Sequence, residues 1–291
     1  MKVWVIIVIA AVVLLIVAAV IRCMYELRTL SVSRYSIRSP KIAPGDELKA
    51  VFLSDLHSCE YGEGNEDLKN LIEKESPDII LIGGDMLVSA SGKGDAKTRR
   101  FLSRISEVAP IYYAPGNHEK AVESLRTFRT RNRNYIGFLG SLGIKYLKNE
   151  TEDINNSVSV TGLDVAYEYY GKVRPRKMTV QAMTGYLGKT DRSRYNILLA
   201  HNPGFFEYYA RTDADLVLSG HYHGGSIRLP VIGGVISPQF RIFPDHSKGR
   251  FEKNGTTMIV TGGCGSHTVN LRLFNKPEIV VISIEGSEVG N

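Results

Sequence analysis

The sequence has few cysteines and lacks a recognisable nucleic-acid-binding motif. Its three cysteines, Cys23, Cys59 and Cys264, show no CxxC spacing, which argues against a disulfide framework and fits a reducing compartment. The formal net charge is +6, but no helix-turn-helix, zinc finger or interleaved aromatic and basic pattern accompanies it, so we expect no nucleic acid partner. The positive charge instead suits a domain that lies against anionic lipid.

The N-terminus carries an uninterrupted apolar run from Val3 to Ile21. As a helix, this run is long enough to cross a hydrocarbon core of roughly 30 Å. A cleaved signal peptide is the alternative, but Ala18 and Ala19 make a poor match to an A-x-A cleavage site. We therefore predict an uncleaved transmembrane anchor over residues 1–22.

Basic residues are unevenly distributed around the apolar run. Only Lys2 and the amino terminus precede it, whereas five basic residues follow it: Arg22, Arg28, Arg34, Arg38 and Lys41. By the positive-inside rule, this asymmetry predicts a single-pass cell-membrane protein whose remaining chain faces the cytoplasm.

The chain after the anchor divides into a linker and one domain. Residues 23–46 are polar and basic and end in Pro44-Gly45-Asp46, which predicts a juxtamembrane linker followed by a turn. In residues 47–291, short runs rich in isoleucine and valine alternate with amphipathic stretches, so we predict an α/β domain with buried sheets. The predicted strands are Leu48–Leu53, Ile79–Ile82, Ile111–Ala114, Val158–Leu163, Ile197–Ala200, Leu216–Leu218, Met258–Val260 and Ile279–Ile284. The predicted helices are Asn65–Glu75, Ala96–Val108 and His118–Phe128.

Five of the seven histidines lie in or between four short motifs. The motifs are Asp55-Leu56-His57, Gly83-Gly84-Asp85, Gly116-Asn117-His118-Glu119 and Gly220-His221-Tyr222-His223, with His201 alone between the last two. Each motif, and His201, follows a predicted strand. Because ligand sites in open α/β sheets lie beyond the carboxyl ends of strands, we expect these side chains to converge on one site.

The side chains in these motifs are those that bind divalent transition metals. Imidazole, carboxylate and amide oxygen suit Zn²⁺, Mn²⁺ or Fe, and the number of donors predicts two ions. The two aspartates supply a charge of −2 against +4 from two ions, so the pocket would keep a positive charge and bind an anionic ester. Alternate positions at a strand end face the same side, so two pairs, Asp55 with His57 and His221 with His223, can each converge on a common centre.

Taken singly, His201, Asp85 and Asn117 each have a simpler explanation as a turn or capping residue. Taken together with the other motifs, they favour a metal site. The series D-x-H, G-G-D, G-N-H-E, a lone H and G-H-x-H resembles the calcineurin-like metallophosphoesterases, over roughly residues 47–285.

The resemblance is closer to a membrane-anchored bacterial branch, the YkuE-like phosphoesterases. That branch typically carries G-H-x-H-G-G-Q-x-R-L-P and a C-terminal R-x-F-x-x-P-E-I. Here the corresponding segments are Gly220–Pro230 and Arg272–Ile279, and Ser226 stands where the branch usually has Gln. This departure leaves the predicted metal ligands intact and weakens any substrate inference drawn from the branch.

The resemblance implies a fold, a ligand set and a mechanism. The fold would be four layers, α/β/β/α, with two mixed sheets. Asp55, His57 and His223 would hold the first metal, Asn117, His201 and His221 the second, and Asp85 would bridge both. A bridging hydroxide would attack phosphorus, and His118, as an imidazolium oriented by an acidic partner, would protonate the leaving oxygen.

The implied activity is hydrolysis of a phosphodiester or pyrophosphate. Because the anchor holds the site near a bilayer, the substrate would be a lipid-linked or nucleotide-linked ester, such as UDP-diacylglucosamine, which relatives cleave. A non-catalytic metal-binding membrane scaffold and a nuclease are the alternatives. Residues 165–194 and the stretch around Arg126–Arg133, rich in Tyr, Lys and Arg, are either loops over the site or solvated faces. His246 and His267 are assigned no role, and the sequence does not specify an oligomeric state.

Overall fold

The computed structural model describes the whole chain apart from residues 1, 90, 91, 93, 172–175, 230, 239, 267–269 and 289–291. His267 and Pro230, both named above, lie outside the described residues.

Within the described residues, the chain forms seven α-helices and fourteen β-strands. The helices are α1 (Val3–Arg28), α2 (Glu66–Lys74), α3 (Asp95–Ile105), α4 (Asn117–Ser124), α5 (Arg129–Ser141), α6 (Val180–Leu187) and α7 (Phe206–Tyr209). The strands are β1 (Ser31–Ser39), β2 (Glu47–Leu53), β3 (Ile79–Ile82), β4 (Ile111–Tyr113), β5 (Lys145–Tyr146), β6 (Glu150–Asp153), β7 (Val158–Gly162), β8 (Tyr195–Leu199), β9 (Leu216–Ser219), β10 (Ile227–Leu229), β11 (Gly233–Ile236), β12 (Gly249–Lys253), β13 (Thr256–Val260) and β14 (Glu278–Gly286).

The strands build two six-stranded mixed sheets and one separate hairpin. Sheet A has the order β1-β14-β2-β3-β4-β5, sheet B has the order β12-β13-β9-β8-β7-β6, and β10 pairs with β11. Strands β2 to β5 run parallel in sheet A, and β7, β8, β9 and β13 run parallel in sheet B. Parallel neighbours end at the same edge of a sheet, so the loops that follow them lie side by side.

Three buried clusters show how the layers stack. Phe52 of sheet A shares one cluster with Ile197 of sheet B, so the sheets pack face to face. A second cluster joins Val51, on the other face of sheet A, to Phe101 of α3. A third joins sheet B to Met183 of α6. The predicted four-layer α/β/β/α architecture is confirmed.

All eight predicted strands and all three predicted helices are present, with small shifts at their ends. The strands were predictable because they are continuous apolar runs buried on both faces, as in Ile79–Ile82, where every residue is buried. The helix predicted over His118–Phe128 ends at Ser124, and a short 3-10 turn follows it at Arg126–Phe128.

The segment predicted to be a linker, residues 23–46, is instead part of the domain. Its first residues belong to α1, which ends at Arg28. Further along, β1 pairs in parallel with β14 along its whole length, from Ser31 opposite Glu278 to Ser39 opposite Gly286. β1 was missed because it is an edge strand whose solvent-facing side carries serine and arginine, so its composition reads as polar. Ile37 and Ser39 are its buried residues.

The N-terminal helix α1 is long and apolar enough to cross a membrane, and its apolar stretch is exposed. Its last turn, however, packs on the domain. Glu26 is buried, and its carboxylate accepts hydrogen bonds from the backbone N–H of Asn275 at 2.7 Å and from Arg22 Nε at 2.7 Å. The helix is therefore joined to the folded chain through the segment that precedes β14.

Candidate active site

The predicted site residues lie at the carboxyl ends of five strands. Loops after β2, β3 and β4 of sheet A carry Asp55, His57, Asp85 and Asn117, and loops after β8 and β9 of sheet B carry His201, His221 and His223. The structure brings these side chains together in three overlapping groups: Asp55 with His57 and His223, His57 with Asp85 and His118, and Asp85 with His201 and His221. In each group the potential ligand atoms lie within 4.8 Å of one another.

The backbone is unusual at this site. Five of the predicted ligands have positive φ angles in the left-handed region, between 48° and 70°: Asp55, His57, Asp85, His221 and His223. Non-glycine residues rarely adopt this conformation, and where it is retained it tends to cluster at functional sites. The surrounding loops therefore hold these side chains in positions that a regular strand end would not give.

One consequence is that His221 and His223 do not share a centre. Nε2 of His223 lies 3.1 Å from His57 Nε2, whereas His221 groups with His201 and Asp85. The expectation that positions two apart face the same side is wrong here, because both histidines lie in a left-handed turn beyond the end of β9. For Asp55 and His57 the expectation is correct, because both belong to one group with His223.

Two glycines allow the loops of sheet A to approach each other. Gly84 has φ 95°, and a Cβ atom there would lie 2.3 Å from the backbone nitrogen of Gly116. At Gly116 a Cβ atom would lie 2.2 Å from Asp85 Oδ1. Only glycine fits at such distances, so these residues bring the loops after β3 and β4 into direct backbone contact around Asp85.

In the first group of donors, a backbone carbonyl orients His223. His223 Nδ1 donates to the carbonyl of Gly265 at 3.1 Å, so its Nε2 faces inward, 3.4 Å from Asp55 Oδ1. The rings of His57 and His223 stack nearly in parallel, with centroids 4.9 Å apart. A histidine whose outer nitrogen is held by a carbonyl presents its other nitrogen to a metal in a fixed direction.

The second group shows the same arrangement. His201 Nδ1 donates to the carbonyl of Gly83 at 2.7 Å, and its Nε2 lies 3.2 Å from Asp85 Oδ2. The amide of Asn117 places one atom 2.8 Å from His221 Nδ1, 3.2 Å from His201 Nε2 and 3.3 Å from Asp85 Oδ2. An amide nitrogen in that position donates to His221 Nδ1 and Asp85 Oδ2. An amide oxygen there accepts from a protonated His201 Nε2 or binds a cation that lies between the groups.

This donor chemistry fits a pair of divalent ions. Nitrogen and oxygen acceptors converge from seven side chains with little space between them, and nearly all of the side chains are buried. Buried acceptors that face one another at about 3 Å require a shared proton or a cation. Mixed imidazole, carboxylate and amide ligands suit Mn, Fe or Zn rather than Ca²⁺ or Mg²⁺.

The aspartates and histidines of this cluster shift one another's pKa values. Burial would raise the pKa of Asp55, but the adjacent imidazoles of His223, His57 and His201 outweigh it and hold the pKa well below its usual range. Asp85 is affected in the same way, chiefly by His201 and His118. Burial works against protonation of His201, yet Asp85 raises its pKa to about 10. His201 Nε2 and Asp85 Oδ2 thus face each other at 3.2 Å, with either a proton or a metal cation between them.

His118 lies at the edge of this cluster. Its Nδ1 accepts a hydrogen bond from the backbone N–H of Ser89 at 3.0 Å, and its Nε2 lies 4.0 Å from Asp85 Oδ2. Burial is the main cause that lowers the pKa of His118. A ring that accepts at Nδ1 carries its proton on Nε2 when neutral, so the form arranged here is the neutral tautomer rather than the predicted imidazolium.

Glu119 has a structural role that the sequence did not reveal. Its carboxylate, which is 2% exposed, accepts hydrogen bonds from four backbone N–H groups and one hydroxyl. The donors are the N–H groups of Asp85, Met86, Leu87 and Gly116 and the hydroxyl of Tyr113. Glu119 therefore ties the loop after β3 to the start of α4 and fixes Asp85 and His118 relative to each other.

Arg131, in the basic stretch predicted as a loop or solvated face, also supports the site. It lies in α5, and its guanidinium forms a bidentate pair with Asp95 at 2.7 and 2.8 Å. It also donates to the carbonyls of Val88 and Ser89. Because the Ser89 N–H holds His118, Arg131 is a positioning residue for that ring. The only advance signal was a basic residue in an otherwise unassigned stretch.

The C-terminal motif, Arg272–Ile279, packs against the loops that carry and orient His223. Arg272 is fully buried and donates to the carbonyls of Gly262, Gly263 and Gly265. Asn275 Nδ2 donates to the carbonyl of His223 at 2.6 Å. The motif quoted for the YkuE-like branch is therefore a scaffold for the loop that carries His223 and for the segment that orients it.

Fold and site together define a phosphoester hydrolase with a candidate metal-binding cluster. A family model described as calcineurin-like phosphoesterase matches residues 48–225, more than half of the chain. The chain belongs to this family.

Similar proteins extend the match beyond that region. A metallophosphoesterase from Aquifex aeolicus (strain VF5) is 29% identical, over 90% of this chain and 94% of its own. Phosphodiesterase YaeI of Escherichia coli (strain K12) is 27% identical, over 81% and 82%, and metallophosphoesterase YkuE of Bacillus subtilis (strain 168) is 24% identical, over 90% and 88%. The predicted resemblance to the calcineurin-like metallophosphoesterases is confirmed, and the YkuE protein is among the similar proteins.

Proposed function

We propose that this chain is a membrane-anchored, dinuclear metal-dependent hydrolase of phosphodiesters or pyrophosphates. The observation that carries the proposal is the convergence of three overlapping donor groups, two of which share Asp85 and two of which share His57. Asp55, His57 and His223 would hold one ion, and Asn117, His201 and His221 the other. Asp85, whose carboxylate faces His57 at 4.0 Å and His201 at 3.2 Å, would bridge them.

Two divalent ions at these positions would activate a water for attack on phosphorus and neutralise the charge of the phosphate oxygens. The protein's own residues orient the reaction. His118 directs Nε2–H toward the cluster because Ser89 occupies Nδ1, so it can donate a hydrogen bond to the departing oxygen. The fixed imidazoles of His201 and His223 keep the donor geometry constant as charge develops.

A diester or pyrophosphate that is attached to lipid or nucleotide is the substrate class we favour. α1 joins the domain near the loops of the site, which would keep the pocket at the membrane surface. Similarity to a phosphodiesterase supports the diester. Arg241 lies beside the His221–His223 turn, where its Nη1 donates to the hydroxyl of Tyr222 at 2.9 Å. Its positive charge can contact a second anionic group of the substrate, next to the phosphate that is cleaved.

We expect the purified full-length chain in detergent to hydrolyse bis-p-nitrophenyl phosphate with Mn²⁺. Because the ions are essential to the proposed chemistry, a strong chelator should remove nearly all activity, and Mn²⁺, Fe²⁺ or Zn²⁺ should restore it. The measurement is release of p-nitrophenol together with metal content per chain. Activity that persists in the fully chelated protein would contradict the proposal.

The same preparation separates the alternatives. Hydrolysis of single- or double-stranded nucleic acid in preference to lipid-linked and nucleotide-linked esters would favour a nuclease. Metal binding without hydrolysis of any ester would favour a scaffold.

We propose that the hydrolase domain faces the cytoplasm, as the excess of basic residues after the apolar run of α1 suggests. Alkaline phosphatase fused after Asn291 should therefore be inactive, because it folds only outside the cytoplasm, and a green fluorescent protein fused at the same position should fluoresce. Activity of the alkaline phosphatase fusion with a dark fluorescent fusion would reverse the orientation. Replacing Lys41 and Arg38 with Gln tests whether these charges set the topology.

A further inference from the structure

Exposed apolar side chains cluster in one place outside α1. The structure describes ten large exposed hydrophobic residues beyond that helix, and seven of them lie between residues 229 and 243 or at residue 274. These seven, which we call the apolar hairpin patch, are Leu229, Val231, Ile232, Phe240, Ile242, Phe243 and Phe274. Soluble surfaces rarely group such side chains, and a contiguous patch marks a contact with another apolar phase.

Backbone pairing holds together the segments that carry the apolar hairpin patch. The hairpin of β10 and β11 carries the turn with Val231 and Ile232. The chain then folds back along β11, where Ile242 bridges Ile236 and the backbone N–H of Phe243 donates to the carbonyl of Val235 at 2.9 Å. The two halves of the patch are therefore held side by side.

The patch is continuous with the end of α1. β10 bridges the C-terminal motif through Ile227 and Leu273, and the next residue, Phe274, has its ring 5.3 Å from the guanidinium carbon of Arg22. Lys276 lies over the ring of Tyr25 at 5.0 Å. The hairpin, the C-terminal motif and the last turns of α1 thus form one surface.

The topology puts this surface at the same end of the molecule as the site. β1 begins at Ser31 opposite Glu278, the start of β14, and β14 runs antiparallel to β2, with Val280 opposite Phe52. The beginning of β1 therefore lies beside the carboxyl end of β2, where Asp55 follows. α1 ends three residues before β1, so any membrane that holds α1 adjoins the loops that carry the site.

We propose that the apolar hairpin patch inserts into the interface of the bilayer that α1 crosses, so that the donor cluster opens toward the lipid headgroups. This inference rests on the proposed anchoring. Its occupant is a lipid surface rather than a protein, because the patch adjoins the anchor and cations accompany both: Arg22 contacts Phe274 and Lys276 contacts Tyr25. Arg228 and Arg241 are also chain neighbours of patch residues. Apolar side chains beside basic ones are typical of interfacial membrane contacts.

Depth-dependent fluorescence quenching tests the inference. Trp4 is the only tryptophan, so the variant Trp4→Phe provides a dark background into which Phe240→Trp is introduced. The full-length chain is reconstituted in phosphatidylcholine vesicles that contain phosphatidylglycerol, with or without bromine on the acyl chains near the headgroup. We expect the tryptophan emission to be blue-shifted and to lose most of its intensity with brominated lipid.

The matched control is Arg192→Trp in the same background. Arg192 has a side chain that is 82% exposed and precedes β8, at the end opposite the site. Its tryptophan should emit as in water and resist quenching. Equal emission and quenching at both positions would overturn the inference, and so would a tryptophan at 240 that remains in water while the chain stays bound to vesicles.

These outcomes are distinguishable from failure of the proposed function. Hydrolysis of bis-p-nitrophenyl phosphate, a soluble substrate, measures the activity of the donor cluster whether or not the hairpin contacts lipid. As a control for folding, each tryptophan variant should have the same circular dichroism spectrum as the parent. If Phe240→Trp perturbs folding, Ile232→Trp, in the other half of the patch, provides a second probe with the same expected quenching.

Discussion

Asp85→Asn should lower kcat/KM for bis-p-nitrophenyl phosphate by about three orders of magnitude, equivalent to roughly 4 kcal/mol of transition-state stabilisation. Asp85 Oδ2 faces one proposed ligand of each ion, His57 at 4.0 Å and His201 at 3.2 Å, so its loss affects both proposed ions. The amide removes the negative charge but keeps the size. Asn tolerates the left-handed region, where Asp85 has φ 55°, and its oxygen can still accept the backbone N–H of His118, now 2.7 Å from Oδ1.

The backbone at Asp85 should therefore remain in place, and the circular dichroism spectrum of the folded variant should match that of the parent. Steady-state kinetics and metal analysis provide the measurement, with fewer than two ions retained per chain. Asp153→Asn is the matched control, because Asp153 is exposed at the edge strand β6 and pairs only loosely with Arg194 at 3.4 Å. A bridging role is refuted if Asp85→Asn retains activity within tenfold of the control.

The central layers and the location of the site were predictable because both depend on local signals. Strands such as Ile79–Ile82 are buried on both faces and read as apolar runs, and the ligand motifs follow them directly. Edge strands were not predictable in this way. β12 alternates half-buried and exposed residues, including Arg250 and Glu252, so its composition resembles that of a loop. α5 begins with Arg129 and carries Arg131 and several polar residues, which hides its apolar face.

The supporting contacts of the site could not be predicted, because they join distant loops through backbone atoms. Arg131 reaches the carbonyls of Val88 and Ser89, and no local pattern marks a side chain for such a partner. The family resemblance implied that His221 and His223 separate, but their spacing did not, because the separation depends on left-handed backbone angles that the sequence indicates for glycine and not for histidine. The candidate metal ligands could therefore be predicted from residue type, whereas the directions of their side chains depend on the fold.

Glu119→Ala should destabilise the domain by about 4 kcal/mol, since it leaves buried donors without an acceptor and each costs about 1–3 kcal/mol. The donors include the backbone N–H groups of Asp85 and Gly116, at 2.8 and 3.0 Å, so the loop after β3 and the start of α4 lose their common partner. Water can reach some of these groups after truncation, which keeps the loss below the sum of five hydrogen bonds.

Urea unfolding of the full-length chain in detergent, followed by circular dichroism, measures the effect of Glu119→Ala. Glu123→Ala in the same helix is the matched control. The Glu123 side chain is 33% exposed and pairs with Lys120 at 3.1 Å, and partly exposed ion pairs contribute less than about 1 kcal/mol.

Glu119→Gln should also destabilise strongly, because its amide nitrogen would face N–H donors. If either variant at 119 unfolds at the same urea concentration as Glu123→Ala, the carboxylate does not hold the two loops together, and the position of Asp85 must be set by the Gly84–Gly116 contact instead.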